Sequence, residues 1–348
     1  MLKWLSIYPI LIVISGCTSD HYPIKNIAFT DKINYKNIVI VYYDKMTEKK
    51  YPNAREAILS SLTKLSKMPV KFIIMKYFIV SDNQHKIDRL SETLTKGKLK
   101  NIITQMAFWA KNDYTLKEEE IINYADSHWL KYQKDMFIDQ NKVFKRNTII
   151  FPDLSLAQHS MGIGHVMSRT YSKKGFYGGI SLFVRWKKYV IPSLSLVIAL
   201  KIKGLDIKKL KIYKDHKNKG YIIAMGRFRI KTDPYFLIKS LFPRKNPYKV
   251  ISMKDLIDGK YRVKDKNTIV LLGDRILAPI ISVKKGYKID SNQLFLAHSQ
   301  SILEAMKMAD IEQTDFKLSD YKTCPPVETH GHASLQGTIY KPFIHNVL

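Results

Sequence analysis

Residues 36–43, KNIVIVYY, and residues 53–67, NAREAILSSLTKLSK, decide the fold of this chain. The first stretch is apolar and β-branched along most of its length, which is typical of a strand buried on both faces of a parallel sheet. The second stretch predicts a helix with Asn53 as its N-cap. Its apolar residues recur at helical spacing, at Ala54, Ala57, Ile58, Leu62 and Leu65.

The same alternation continues along the chain. Residues 70–80 and 99–107 are predicted strands, and residues 85–96 between them are a predicted helix. Strands joined by helices through short connections lie parallel. The glycine-rich segment 162–186 predicts antiparallel hairpins. Further helices are predicted at 116–135, 192–201, 252–257 and 291–308, and further strands at 147–151, 210–213, 221–225, 227–231 and 268–273.

These elements predict one α/β domain over residues 36–310. Its expected architecture is a mixed, largely parallel sheet flanked by helices, with an antiparallel hairpin region in the middle of the chain. No repeat, low-complexity tract or Pro/Gly/Ser-rich linker divides it. Residues 18–35 are polar and mixed and predict a tether, and residues 311–348 predict an irregular C-terminal tail.

The composition excludes several classes of protein. A hydrophobic fraction of 45%, an aromatic fraction of 11%, 15 Gly and 13 Pro do not fit a collagen, a coiled coil or a disordered chain. Lysine and arginine total 58 against 30 acidic residues, and the net charge of +28 attracts anionic partners. Nucleic acid, acidic lipid and acidic envelope polymers all fit that sign.

The N-terminus has the layout of a secretory signal: Lys3, an apolar run over residues 4–14, and then residues 15–17, SGC. The run is shorter than the ~20 residues that span a bilayer. The ending resembles the lipobox of bacterial lipoproteins, which implies a signal peptide over residues 1–17 and acylation of Cys17. Thr18 favours the outer membrane where the cell has one. The alternatives are an ordinary secretory signal and a short uncleaved anchor.

Cleavage of the signal peptide would change which partners the net charge can attract. Loss of Lys3 leaves 57 cationic residues against 30 acidic ones, a net charge of +27 that faces the cell envelope. An extracytoplasmic address argues against nucleic acid as a partner and makes anionic lipid or polymer surfaces the expected counter-charge. With Cys17 acylated, Cys324 is the remaining thiol, which excludes an internal disulfide and a zinc site built on cysteines.

Several segments, taken in their order along the chain, carry a resemblance to a known family. They are 38–45 (IVIVYYDK), 161–166 (MGIGHV), 175–196 (GFYGGISLFVRWKKYVIPSLSL), 251–259 (ISMKDLIDG), 268–273 (TIVLLG) and, more loosely, 297–303 (AHSQSIL). In that order they resemble the CHASE domain of the second type, an extracytoplasmic sensory domain of bacterial signalling proteins. The resemblance covers most of residues 36–305. It implies an α/β sensory domain that binds a ligand outside the cytoplasm.

The chain departs from the family pattern at positions that bear on function. Lys76 or Tyr77 stands where the family has an aspartate at the end of its second strand. Lys174 replaces the aspartate of a central turn, and the glycines at 178 and 179 replace arginines. The transmembrane helices and output domain that usually follow such a domain are not expected here. A sensor of this kind would pass its signal to another envelope protein.

A ligand site is predicted at one edge of the sheet, because ligands of alternating α/β sheets bind beyond the carboxyl ends of the parallel strands. Two acids and several bases there could hold a small zwitterion or an anion through charge-assisted hydrogen bonds. The alternative is that Asp44 caps or braces a neighbouring loop and that the lysines are solvated. The residues at this edge are Asp44 and Lys45, Lys76 and Tyr77, and Asp274 and Arg275.

Two further candidates lie in the middle of the chain. His165 sits in the glycine-rich segment, where a structural histidine in a tight turn is favoured over a ligand or general base. Arg185 lies on an otherwise apolar strand and could bind a carboxylate or phosphate, although such an arginine more often pairs with an internal acid.

No metal site, cofactor or catalytic activity is expected. Glu328, His330 and His332 in the tail could gather a metal, but no fourth ligand is identifiable and the segment is read as loop. The chain has no Gly-x-Ser-x-Gly elbow, Walker loop or His-Glu-x-x-His motif. An envelope hydrolase is therefore the weakest of the hypotheses.

Two functions remain open. The first is a lipid-anchored extracytoplasmic binding or sensing protein, which takes a small molecule or an envelope signalling protein as partner. The second is a non-sensing envelope scaffold whose basic surface binds anionic lipid or polymer. Lysine runs at 201–219, 239–249 and 284–288 would supply that surface.

Overall fold

The computed structural model describes residues 27–30, 37–77, 84–108, 118–131, 149–167, 169–171, 176–215, 220–276, 278–284 and 287–311. The helices are α1 Lys45–Lys50, α2 Ala54–Leu65, α3 Gln84–Lys96, α4 Glu118–His128, α5 Leu154–His159, α6 Leu194–Ile202, α7 Met253–Ile257 and α8 Ser291–Ile311. A 3-10 turn spans Ile207–Lys209.

Nineteen strands are described alongside these helices. They are β1 Ile27–Thr30, β2 Ile38–Tyr43, β3 Val70–Met75, β4 Ile102–Phe108, β5 Leu130–Lys131, β6 Ile149–Ile150, β7 Ser160–His165, β8 Arg169–Tyr171, β9 Phe176–Gly179, β10 Phe183–Trp186, β11 Tyr189–Pro192, β12 Lys211–Asp215, β13 Gly220–Met225, β14 Phe228–Thr232, β15 Ser240–Pro243, β16 Lys249–Ser252, β17 Thr268–Asp274, β18 Ile280–Lys284 and β19 Tyr287–Asp290.

A seven-stranded sheet forms the centre of the fold. Its order is β16-β2-β17-β3-β4, and β4 is followed by β7 along most of its length and by β6 at its end. Each pair in this series is parallel except β4 with β6. The predicted mixed, largely parallel α/β sheet is therefore confirmed.

Helices cover both faces of the central sheet because its strands are buried on both sides. Along β2, Val39 and Val41 pack with residues of α2, α3 and α7. Ile38 and Ile40 point to the opposite face and pack with residues of α6 and α8. Asn53 caps α2, as predicted, by accepting a hydrogen bond from the Glu56 N–H.

The glycine-rich strand β7 is the clearest correction to the prediction. Antiparallel hairpins were expected from residue 162 onward, but β7 lies parallel to β4 in the central sheet. Its glycines allow α6 to approach closely, since a Cβ atom on Gly164 would lie 2.5 Å from the Leu194 backbone. In the sequence these glycines predict turns. In the fold they allow a helix to pack closely against a strand.

The antiparallel hairpin region predicted for the middle of the chain is confirmed in the segments that follow. Antiparallel pairs join β8 with β9, β10 with β11, β12 with β13, and β13 with β14. The acid-rich helix is shorter than the predicted 116–135, because α4 ends at His128 and β5 pairs with β11.

The folded body begins before residue 36. Ile27–Thr30, inside the predicted tether of residues 18–35, form β1 and pair with β15 in parallel. Phe29 packs its ring edge-on against Tyr287, with 4.9 Å between ring centroids. Among the helices of the described ranges, none combines the length and apolar character needed to cross a bilayer.

Candidate functional site

The carboxyl ends of β2, β17 and β3 meet at one edge of the central sheet, because these three strands are adjacent and parallel. The six residues predicted for a ligand site all follow or end these strands. Their side chains do not form one cluster, since successive residues of a strand point to opposite faces. The predicted set is divided between the side of α7 and the side of α8.

Asp44 has a structural role on the α7 side. Its Oδ1 accepts hydrogen bonds from the Thr47 N–H at 2.9 Å, the Thr47 hydroxyl at 2.9 Å and the Ser252 hydroxyl at 2.9 Å. It thus caps α1 and ties that helix to the residue that precedes α7. The alternative of a cap and brace is the one that the geometry supports.

Tyr77, Asp274 and Lys45 also lie outside a shared cluster. The Tyr77 hydroxyl donates to the Gly273 carbonyl at 2.7 Å, and burial raises the pKa of this phenol. Asp274 Oδ1 accepts from the Ile276 N–H at 2.7 Å, which shapes the turn after β17. Lys45 is the exposed first residue of α1.

Lys76 points to the α8 side and meets the beginning of that helix. Its Nζ donates to the Ser291 carbonyl and the Ser291 hydroxyl, both at 3.0 Å, and lies 4.5 Å from the centre of the Phe295 ring. Burial lowers the pKa of Lys76 to about 7, although the negative charge of Asp290 acts in the opposite direction. This amine is therefore held in an environment that disfavours its charged form.

Tyr42 and Asp290 complete the polar group beside Lys76, and neither was predicted as a site residue. The Tyr42 hydroxyl donates to Asp290 Oδ2 at 2.6 Å. Asp290 Oδ1 accepts from the backbone N–H groups of Asn292 and Gln293, at 2.8 and 2.9 Å. Burial, together with the neighbouring Asp290, raises the pKa of Tyr42. Both carboxylate oxygens are thus engaged within the protein.

Arg275 extends the group toward solvent. The residue is exposed, and its guanidinium carbon lies 5.8 Å from the centre of the Tyr42 ring. Its backbone N–H donates to the Tyr43 carbonyl at 3.0 Å, which continues the pairing of β17 with β2. We define the α8-side cluster as Tyr42, Lys76, Arg275, Asp290 and Ser291.

The α8-side cluster contains two cations and one carboxylate. Within the described ranges, neither Lys76 nor Arg275 has a carboxylate at ion-pair distance. Arg275 is exposed, whereas Lys76 is removed from water, and a charge removed from water is costly unless it is paired. A bound anion would supply the missing partner, and its hydrogen bonds to the two cations would be charge-assisted.

His165 and Arg185 lie away from this cluster. His165 ends β7 in the core, and its Nδ1 accepts from the Met167 N–H at 3.2 Å. Burial lowers its pKa to about 3. Arg185 belongs to the β10–β11–β5 sheet, where its Nε donates to the Lys187 carbonyl at 3.2 Å.

Four of the predicted positions lie outside the described residues: Cys17, Glu328, His330 and His332. In the described part, no three His, Cys, Asp or Glu side chains are grouped as a metal would require.

Two signals for the α8-side cluster are present in the sequence. Asp290 directly precedes the helix that begins at Ser291, where an aspartate is a preferred cap. Tyr42 is the one residue of its face in β2 that carries a polar atom on the side chain.

No family model, curated protein or solved structure matches this chain.

Proposed function

We propose that this protein is a lipid-anchored extracytoplasmic binding protein that takes a small anionic ligand at the α8-side cluster. The observation that carries the proposal is the pair of cations, Lys76 and Arg275, that lack a carboxylate partner in the described structure. Asp290 cannot neutralise both of them, because its carboxylate carries one negative charge against two cations.

The position of the cluster supports the same proposal. Parallel α/β sheets bind their ligands at the carboxyl ends of the strands, and Lys76 and Arg275 follow two adjacent strands there. The resemblance to second-type CHASE domains would make the ligand a signal and an envelope signalling protein the receiver. Anchoring through Cys17 would hold the domain on the extracytoplasmic side of the membrane.

Titration of the full chain with inorganic phosphate and with succinate tests this proposal. We expect saturable binding that Lys76→Met and Arg275→Gln each weaken at least about tenfold, as loss of a charge-assisted hydrogen bond requires. Lys45→Gln is the matched control, because Lys45 is an exposed lysine at the same edge of the sheet. Equal weakening by Lys45→Gln would mean that a diffuse basic surface binds the anion, and the proposal would fail.

The scaffold hypothesis is favoured by a different observation. Lys208, Lys209 and Lys211 are exposed next to one another on and beside β12, and Lys203 lies 5.0 Å from the centre of the Phe228 ring nearby. A surface of this kind attracts anionic headgroups by roughly 1 kcal/mol per cation. Its test is binding to phosphatidylglycerol vesicles by a variant with all three lysines changed to glutamine. Binding that falls in this variant but not in Arg275→Gln would support the scaffold.

A further inference from the structure

The loop that follows β17, described at residues 275, 276 and 278–280, contacts the α8-side cluster. It starts with Arg275, whose guanidinium lies over the Tyr42 ring. It then contacts the start of α8, where the Ser291 N–H donates to the Pro279 carbonyl at 3.0 Å. It ends at Ile280, which pairs with Asp290 across the β18–β19 hairpin. We call the described residues 275, 276 and 278–280 the rim loop.

The rim loop carries apolar side chains that face solvent. Ile276 is 37% exposed and Ile280 is 63% exposed. The described residues contain four large hydrophobic side chains exposed to this degree, and the other two are Met46 and Val250. Half of them therefore lie within five consecutive positions beside the cationic cluster.

The pairing of β18 with β19 fixes where Ile280 points. Directly opposed residues of an antiparallel pair project their side chains to the same face, with Cβ atoms roughly 5 Å apart. Because Ile280 opposes Asp290, its side chain lies beside the carboxylate that Tyr42 contacts. Ile276 directly follows Arg275 in the chain, and its backbone N–H is held by Asp274 at the end of β17.

We propose that the ligand of the α8-side cluster is a single-chain anionic amphiphile, whose acidic group lies between Lys76 and Arg275 and whose hydrocarbon chain covers Ile276 and Ile280. This inference rests on the proposed function, since it assigns the ligand class of the same site. A purely polar anion would leave the two isoleucines exposed. A hydrocarbon without a charged group would leave the two cations unpaired.

The expected gain from the chain follows from the exposed area. The exposed parts of Ile276 and Ile280 together equal about one isoleucine side chain. Covering one such side chain improves a dissociation constant by at least about tenfold. A twelve-carbon carboxylate should therefore bind at least ten times more tightly than acetate.

The experiment uses the full chain in phosphatidylcholine nanodiscs and a dodecanoic acid probe with a diazirine near its tail. We expect crosslinks to concentrate on the rim loop and to be displaced by dodecanoate at least tenfold more effectively than by acetate. Ile276→Ser with Ile280→Ser should remove this chain-length preference, so that dodecanoate displaces the probe no better than acetate does. Both positions are exposed, so the double variant should keep its fold. Met46→Ser is the matched control, because Met46 is 59% exposed on α1 and should have no effect.

The outcomes separate the inference from the proposed function. Acetate and dodecanoate that compete equally, both through Arg275, would overturn the amphiphile and leave anion binding intact. Crosslinks that are as frequent at Met46 as at the rim loop would also overturn it, because they indicate partition into the bilayer. Loss of all competition, with no effect of Arg275→Gln, would refute both proposals.

Discussion

Lowering the pH from 7 to 5 should destabilise this protein strongly, because two histidines lie neutral in its core. His165 is 0% exposed and His298 is 1% exposed. Burial lowers the pKa of each to about 3, and the charge of His298 adds repulsion at His165. In the unfolded chain both return to an ordinary pKa near 6.5.

The sign of the effect follows from proton uptake. Below pH 6.5 the unfolded chain binds protons that the folded chain excludes, so the free energy of unfolding decreases as the pH falls from 6.5 toward 3. For one histidine with these two pKa values, the loss between pH 7 and pH 5 is about 2 kcal/mol. The pair accounts for about 4 kcal/mol, a large part of the roughly 5–15 kcal/mol by which domains are stable.

Urea unfolding at pH 7, 6 and 5 measures this dependence in the wild type and in two variants. His165→Asn keeps an acceptor for the Met167 N–H, because the amide oxygen takes the place of Nδ1. His298→Met replaces a ring with two unpartnered nitrogens by a flexible apolar side chain. Each variant should lose about half of the pH dependence, whatever its stability at pH 7. A pH dependence equal to that of the wild type in both variants would refute the reasoning.

Three further predictions concern separate parts of the chain. Asp44→Ala should lower the free energy of unfolding by about 2 kcal/mol in urea, since it removes the cap of α1 and the tie to Ser252, and an unchanged midpoint would contradict this role. Gly164→Ala should destabilise by about 1–3 kcal/mol in thermal unfolding, because the added methyl group meets the Leu194 backbone; a neutral result would show that α6 shifts freely. Cys17→Ser should release the protein from the membrane fraction, and unchanged retention would count against acylation.

The order of strands and helices is predictable because its signals are local. The apolar stretch that forms β2 and the regularly spaced apolar residues of α2 each fall within a segment of about a dozen residues. The position of β17 between β2 and β3 is not a local property, since β17 follows β2 by more than two hundred residues. Its parallel pairing with both neighbours decides which residues meet at the carboxyl edge.

The six residues predicted for a ligand site lie at one edge of the sheet, but their side chains do not form one cluster. Listing the residues after each strand places Asp44 beside Lys76, whereas the two-residue period of a strand separates them. Asp44 turns to Ser252, and Lys76 turns to Ser291. Local signals mark Asp290 as a helix cap and Tyr42 as the polar residue of its strand face, but they do not show that these distant residues meet Lys76.

Lys76 distinguishes a structural from a binding role for the α8-side cluster. If the main role of Lys76 is to hydrogen-bond Ser291, its replacement should lower the free energy of unfolding. If the amine is instead kept for a ligand, its burial is a cost, and Lys76→Met should raise the free energy of unfolding while it weakens anion binding at least about tenfold. Since the pKa of Lys76 in the folded protein is about 7 against 10.5 in the unfolded chain, the wild type loses stability as the pH falls from 10.5 to 7. Below pH 7 the cost is complete.

The advantage of Lys76→Met should therefore grow between pH 10 and pH 7 and reach at least about 1 kcal/mol, the equivalent of one pKa unit. Urea unfolding at pH 10, 8.5 and 7 measures it. Lys96→Met is the matched control, since Lys96 is exposed and pairs with Glu92 at the end of α3. A difference between wild type and Lys76→Met that stays constant over this range would mean that the amine is solvated, and the case for an uncompensated cation at the carboxyl edge would be lost.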